Sequence, residues 1–154
     1  LYNLALSDSS GTTVLKLPLR SKSIFKDNIE ELYQLGAASI HPNNEFNYSK
    51  KVNVRMEKLD NINIKDIGFI KIDVEGHELE VINGARETIV KNKPVLLIEI
   101  EKRHSKRSVE ETISKINHLG YECFFTQNND LVSIKKLSNK NSVNNFYFMP
   151  VKTK

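Results

Sequence analysis

The chain has 154 residues, one domain's worth, able to bury roughly 70% of its unfolded surface if compact. With 39% hydrophobic and 27% charged residues it is not a disordered polyelectrolyte, and no apolar run approaches the ~20 residues that span a bilayer. The net charge of +4 is mild, no basic stripe interleaved with aromatics marks a nucleic-acid surface, and a single cysteine, Cys123, excludes an internal disulfide and fits a reducing, cytoplasmic setting.

Leu1 to Leu6 reads as a short buried strand. Ser9-Ser10-Gly11 is a turn signal, and Thr12 to Leu17 reads as a second strand that Pro18 ends. Residues 21–49 are polar and irregular, with one short helix expected: Asp27 caps it, Glu30 follows three residues on, Ile29, Leu32 and Tyr33 share a face, and Gly36 stops it. Lys51 to Glu57 places Val52, Val54 and Met56 on one side of a strand.

Phe69 to Val74 reads as a central strand. His77 to Lys91 follows as a helix whose stripe is Leu79, Ile82, Ala85 and Ile89, and Asn92-Lys93-Pro94 stops it. Gly84 within this helix costs roughly 1 kcal/mol against alanine, so close packing of the helix on the sheet is expected there. Val95 to Ile98 is a continuous apolar run, as in a strand buried on both faces, and the strand is expected to reach Ile100 beside Phe69–Val74 and parallel to it. Ser108 and Glu111 form a capping box for a helix faced by Val109, Ile113 and Ile116, with Gly120 at its end. Tyr121 to Thr126, Leu131 to Lys136 and Phe146 to Val151 read as three more strands. A turn at Gln127 to Asp130 joins the first two, and Leu137 to Asn145 is a solvated loop. Pattern alone supports an α/β class.

The chemistry concentrates where the central strand runs into Asp73-Val74-Glu75-Gly76-His77. Ligands of open α/β sheets collect at the carboxyl ends of strands, and residues two apart on a strand share a face, so Asp73 and Glu75 can address one crevice. Glu75 and Glu78 can equally stabilise the positive start of the following helix. His77 is either a base or an exposed first-turn histidine. Glu99 and Glu101 end the next strand. Glu99 either lines an acceptor pocket or pairs with a base of the run Lys102 to Arg107, itself an anion site or a solvated loop. Asp60 is a turn residue or a helix cap. His41 lies in a loop able to cover the site, or is simply solvated. Asp73 and Glu75 offer hard oxygen ligands, but no third ligand is fixed by spacing, so no metal is expected. Cys123, on an apolar strand, reads as a buried structural thiol.

The block IKIDVEGHELEVINGA, with KPVLLIEI at Lys93 to Ile100, resembles the FkbM family of S-adenosylmethionine-dependent O-methyltransferases. LALSDSSGT at Leu4 to Thr12, AASI at Ala37 to Ile40, VRMEKLD from Val54 to Asp60 and HLGYECF at His118 to Phe124 agree with it. The resemblance implies a class I methyltransferase, Rossmann-like sheet, mostly parallel with an antiparallel strand near its C-terminal edge. It implies S-adenosylmethionine as cofactor and a small-molecule or glycan hydroxyl as acceptor. Carried over residue by residue, Asp73, Glu75 and His77 become the catalytic candidates, Leu6, Asp8 and Asp73 the cofactor contacts, and Glu99 and His41 the acceptor side.

The family's glycine-rich cofactor loop and the acidic residue after it have no counterpart. The glycines, at 11, 36, 68, 76, 84 and 120, are too far apart for a G-x-G turn. The chain also starts at Leu1 and enters a strand at once. It is therefore expected to be a partial methyltransferase domain, the third strand onward over residues 1–154, inactive alone. Two other readings stand beside it: a non-catalytic Rossmann-like remnant or interaction domain, and a metal-dependent phosphoryl-transfer enzyme that would need Asp73 and Glu75 as ligands. The sequence leaves the acceptor and the oligomeric state open.

Overall fold

The computed structural model describes residues 1–19, 37–41, 49–100 and 108–151. The expected helix around Asp27 to Gly36, and Glu101 with the basic run 102–107, lie outside the described residues. Among the described residues two sheets carry the fold. The smaller contains β1 (Ala5–Leu6), β2 (Gly11–Pro18) and β3 (Ser49–Glu57) in the order β1-β3-β2. β1 runs parallel to β3, and β2 antiparallel to it. The expected first strand is thus shortened to two residues, and Leu1 is fully exposed. Glu57 ties the β1–β2 turn to β3. It accepts from the Ser10 hydroxyl, the Asn61 amide, the Lys58 N–H and the Arg55 guanidinium, which together hold its carboxyl down to about 2.

The larger sheet has the order β4-β5-β8-β6-β7, with β4 (Phe69–Ile72), β5 (Val95–Glu99), β6 (Tyr121–Gln127), β7 (Asp130–Ser133) and β8 (Asn145–Pro150). β4 and β5 are adjacent and parallel, with Phe69 opposite Val95 and Ile72 opposite Ile98, as the sequence predicts. Beyond them the sheet is less parallel than expected: β8 is the antiparallel strand expected near the C-terminal edge, and β7 is a second one. β5–β8, β8–β6 and β6–β7 are all antiparallel. The cause is local. Asn128 and Asn129, with φ of 51° and 68°, turn β6 back on itself in two residues, which only an antiparallel pair permits. β8 then enters between β5 and β6. β4, β5 and β6 still share one direction.

The single helix expected over His77–Lys91 is two: α1 (Glu78–Gly84) and α2 (Arg86–Asn92). The break follows from Asp60, whose carboxylate accepts the amides of Glu87 and Thr88 at 3.0 and 2.8 Å. In a continuous helix those amides would reach the carbonyls of Asn83 and Gly84. Both readings of Asp60 hold: it lies in a turn of 3-10 helix, Leu59–Asn61, and it caps α2. Gly84 does pack closely, on the chain just after β1: an added Cβ would sit 1.8 Å from the Ser7 carbonyl oxygen. Lys93, with φ 48°, supplies the left-handed stop of α2.

Helix α3 (Val109–Asn117) starts as expected, with the Ser108 hydroxyl accepting the Glu111 amide at 3.1 Å. The expected strand from Leu131 to Lys136 ends at Ser133 and gives way to a turn of 3-10 helix that buries Ile134. The core gathers Ile72, Val81, Ile82, Ile89, Leu96, Ile98, Ile113, Ile116, Phe146 and Phe148. Ile72 on β4 and Leu79, Val81 and Ile82 on α1 are all at most 3% exposed, so the turn between β4 and α1 hangs from a rigid frame. Cys123 belongs to this core, and burial pushes its thiol up to about 12, as expected of a structural cysteine.

Candidate functional site

Two chain segments meet at one place: the end of β1 (Leu6-Ser7-Asp8) and the turn from β4 into α1 (Asp73 to His77). Between them lies an apolar cleft of about 300 Å³. Leu4, Ala5 and Leu6 form one wall; Ile70, Ile72, Asp73 and Val74 form the other; His77 and Ser39 also line it. Among the described residues β1 pairs only with β3 and β4 only with β5, so both strands bordering the cleft keep an unpaired edge.

β4 ends at Ile72, so strand alternation does not bring Asp73 and Glu75 together. The turn does. Glu75 has φ 51° and Gly76 φ 97°, two left-handed residues in succession, and a glutamate held there is strained by roughly 1–3 kcal/mol. Its carbonyl accepts from the buried Ser39 hydroxyl at 3.3 Å. The resulting niche is lined by Asp73, Glu75, Gly76, Glu78 and Glu99. Asp73 pairs with Lys71 at 2.9 Å on the exposed side of β4, and this contact, with Glu99 nearby, pushes the Lys71 ammonium pKa up. Glu78 is buried. It accepts the Gly76 amide at 2.8 Å, yet desolvation outweighs that bond and pushes its carboxyl above the usual range.

His77 is not an exposed first-turn residue. It is buried at 9% exposure, with Nε2 2.9 Å from the Ser7 hydroxyl and Nδ1 3.8 Å from the Glu80 carboxylate. The His41 ring stands edge-on to it, with centroids 6.3 Å apart. Of the residues singled out from sequence, Leu6, Asp73 and His77 thus line the cleft, Glu75 and Glu99 join Asp73 in the adjacent niche, and His41 leans on His77. Asp8 is exposed and is not among the residues that line the cleft. Ser7, Ser39 and Glu80 escaped the sequence reading. Glu80 had a local signal, three residues from His77 on a helix. Ser7 and Ser39 had none, because their roles depend on partners far along the chain. Among the described residues no cluster of three or more metal-ligating side chains forms.

A family model described as the methyltransferase FkbM domain matches residues 1–123. The chain belongs to the FkbM methyltransferase family. This matched region holds both strand ends and the whole β4–α1 turn. No curated protein matches the chain at a significant level. A solved structure of the methyltransferase FkbM from Methylobacillus flagellatus KT is similar at 24% identity and a TM-score of 0.45, over 62% of this chain. The chain spans 23% of that structure's length. The FkbM chain contains no helix, among the described residues, long and apolar enough to cross a membrane.

Proposed function

We propose that this chain is the third strand onward of a class I, Rossmann-like methyltransferase domain, and that the domain uses S-adenosylmethionine to methylate a hydroxyl of a sugar, glycan or secondary metabolite. The observation that carries this reading is the convergence, in an FkbM-family chain, of the ends of β1 and β4 on one apolar cleft. The shared direction of β4, β5 and β6 supports the class I sheet. The unpaired edges of β1 and β4 beside the cleft leave room for the preceding strands such a sheet would have.

The residues present fit part of the cofactor. Leu6 and its apolar neighbours suit an adenine face, and Asp8 offers acceptors for its polar rim. Asp73 lies where a carboxylate would attract a sulfonium charge. The methionine end would need the glycine-rich turn, which these residues do not supply. When bound, S-adenosylmethionine provides the methyl group. This chain's own residues then orient the acceptor and take its proton. Glu75 and His77 are the candidates to take that proton. Glu99 and His41 would contact the acceptor. The buried thiol of Cys123 is compatible with a cytoplasmic enzyme.

Calorimetric titration of the 154 residues with S-adenosylmethionine tests the partial-domain reading, which expects weak binding or none. Micromolar affinity would contradict it. Methyl transfer to a hydroxyl acceptor should appear when the preceding strands and loop are present. Its absence there would favour the non-catalytic remnant.

A further inference from the structure

Ser7 is 2% exposed and gripped by α1 at both of that helix's ends. At the start of α1, His77 Nε2 lies 2.9 Å from its hydroxyl; at the end, Gly84 presses on its carbonyl. The Ser7 amide is engaged as well, donating to the Glu57 carbonyl at 3.0 Å. The backbone of Ser7 is therefore fixed, and only its hydroxyl proton can reorient. That hydroxyl has a second acceptor, Asp8 Oδ1, at 3.4 Å.

We infer that Ser7 relays the protonation state of His77 to Asp8. A hydroxyl has one proton to donate. With His77 neutral, the Glu80 carboxylate 3.8 Å from Nδ1 favours the proton on Nδ1, leaving Nε2 to accept from Ser7. When His77 takes a second proton from solvent, Nε2–H becomes a donor and the Ser7 oxygen must accept. The serine proton is then released toward the Asp8 carboxylate. The imidazole gains one N–H bond, with the proton taken from solvent; the Ser7 O–H bond stays intact, and its hydroxyl only rotates. Among the described residues, the titratable groups placed around His77 are Glu80 on α1, Asp73 with its partner Lys71 along the cleft, His41 edge-on to the ring, and Asp8 behind Ser7.

The consequence rests on the methyltransferase reading. Asp8 is the residue assigned there to the cofactor's adenosine end, so Ser7 is a positioning residue that makes that contact depend on His77. The relay itself does not need that reading, and the test keeps the two apart. Heteronuclear NMR of the full chain across the pH range follows the His77 ring and the amides of Asp8 and Glu75. In the native chain the Asp8 amide should shift with the same midpoint as the His77 ring. In Ser7→Ala, which keeps the Gly84 contact, that Asp8 response should be lost while the ring still titrates. A native Asp8 amide that ignores the His77 midpoint would overturn the relay, whatever the variant does. So would an Asp8 response unchanged in Ser7→Ala. Loss of cofactor binding or methyl transfer in a separate assay would bear on the methyltransferase reading alone.

Discussion

Asp60 Oδ1 lies 2.8 Å from the amide of Thr88, so a residue ahead of β4 in the sequence caps a helix that follows it. The second oxygen takes the Glu87 amide, from 27 positions away in sequence. Replacing a capping carboxylate by alanine costs about 0.5–2 kcal/mol. Asp60→Ala should lower stability by that amount in a denaturant melt, and Asp60→Asn by less, because an amide oxygen still accepts. Equal losses for the two variants would mean that the cap is not the source of the effect.

Gly84→Ala should also destabilise, against helix propensity. Alanine is favoured over glycine in a helix by roughly 1 kcal/mol. Here its methyl would meet the Ser7 carbonyl oxygen at 1.8 Å, with backbone atoms on both sides of the contact. Overpacking of this kind costs typically about 1–3 kcal/mol, so the net sign is a loss. Thermal unfolding of the variant reads the sign directly, and a gain in melting temperature would refute the packing.

Glu78 gives a pH dependence with a definite sign. Burial raises its carboxyl above the ordinary 4.5, so the folded state prefers the protonated form. Its stabilising contribution is complete below the unfolded value near 4.5 and is lost as pH rises through the higher folded value. Glu78→Gln is always neutral and keeps an acceptor for the Gly76 amide. The variant should match the native chain at acidic pH and exceed its melting temperature at neutral pH. Parallel melting curves across that range would count against it.

Much of this architecture was legible in the residues. Val95 to Ile98 is apolar at every position and forms β5 as expected, though only Leu96 and Ile98 are fully buried while Val95 and Leu97 are half-buried. Ser108 and Glu111 sit at capping distance within one turn, so the start of α3 needed no tertiary knowledge. The FkbM resemblance, read from the block around Asp73 to Ala85, is borne out by the family match over residues 1–123. What stayed hidden depended on distant partners. Nothing near Ala85 announces a helix break, because the cause is Asp60. Nothing near His77 announces burial, because Ser7 is 70 positions away. The order of β8 between β5 and β6 is a tertiary choice, invisible to a local alternation pattern. At the site, the sequence named Asp73 and Glu75 together, but attributed their meeting to strand alternation, whereas the left-handed pair Glu75 and Gly76 produces it.

The central claim, that the end of β4 is a catalytic edge, is tested most directly by Asp73→Asn in the complete methyltransferase. Asp73 is partly exposed, paired with Lys71 at 2.9 Å, and lines the cleft, so its removal disturbs little of the core. Asparagine keeps the shape and removes the charge. Positioned acid–base and charge-bearing groups contribute roughly 10²–10⁴-fold, and turnover from S-adenosylmethionine should fall by that order while the melting temperature stays nearly unchanged. Near-native turnover per folded molecule would contradict the account, and would move the assignment to Glu75 and His77.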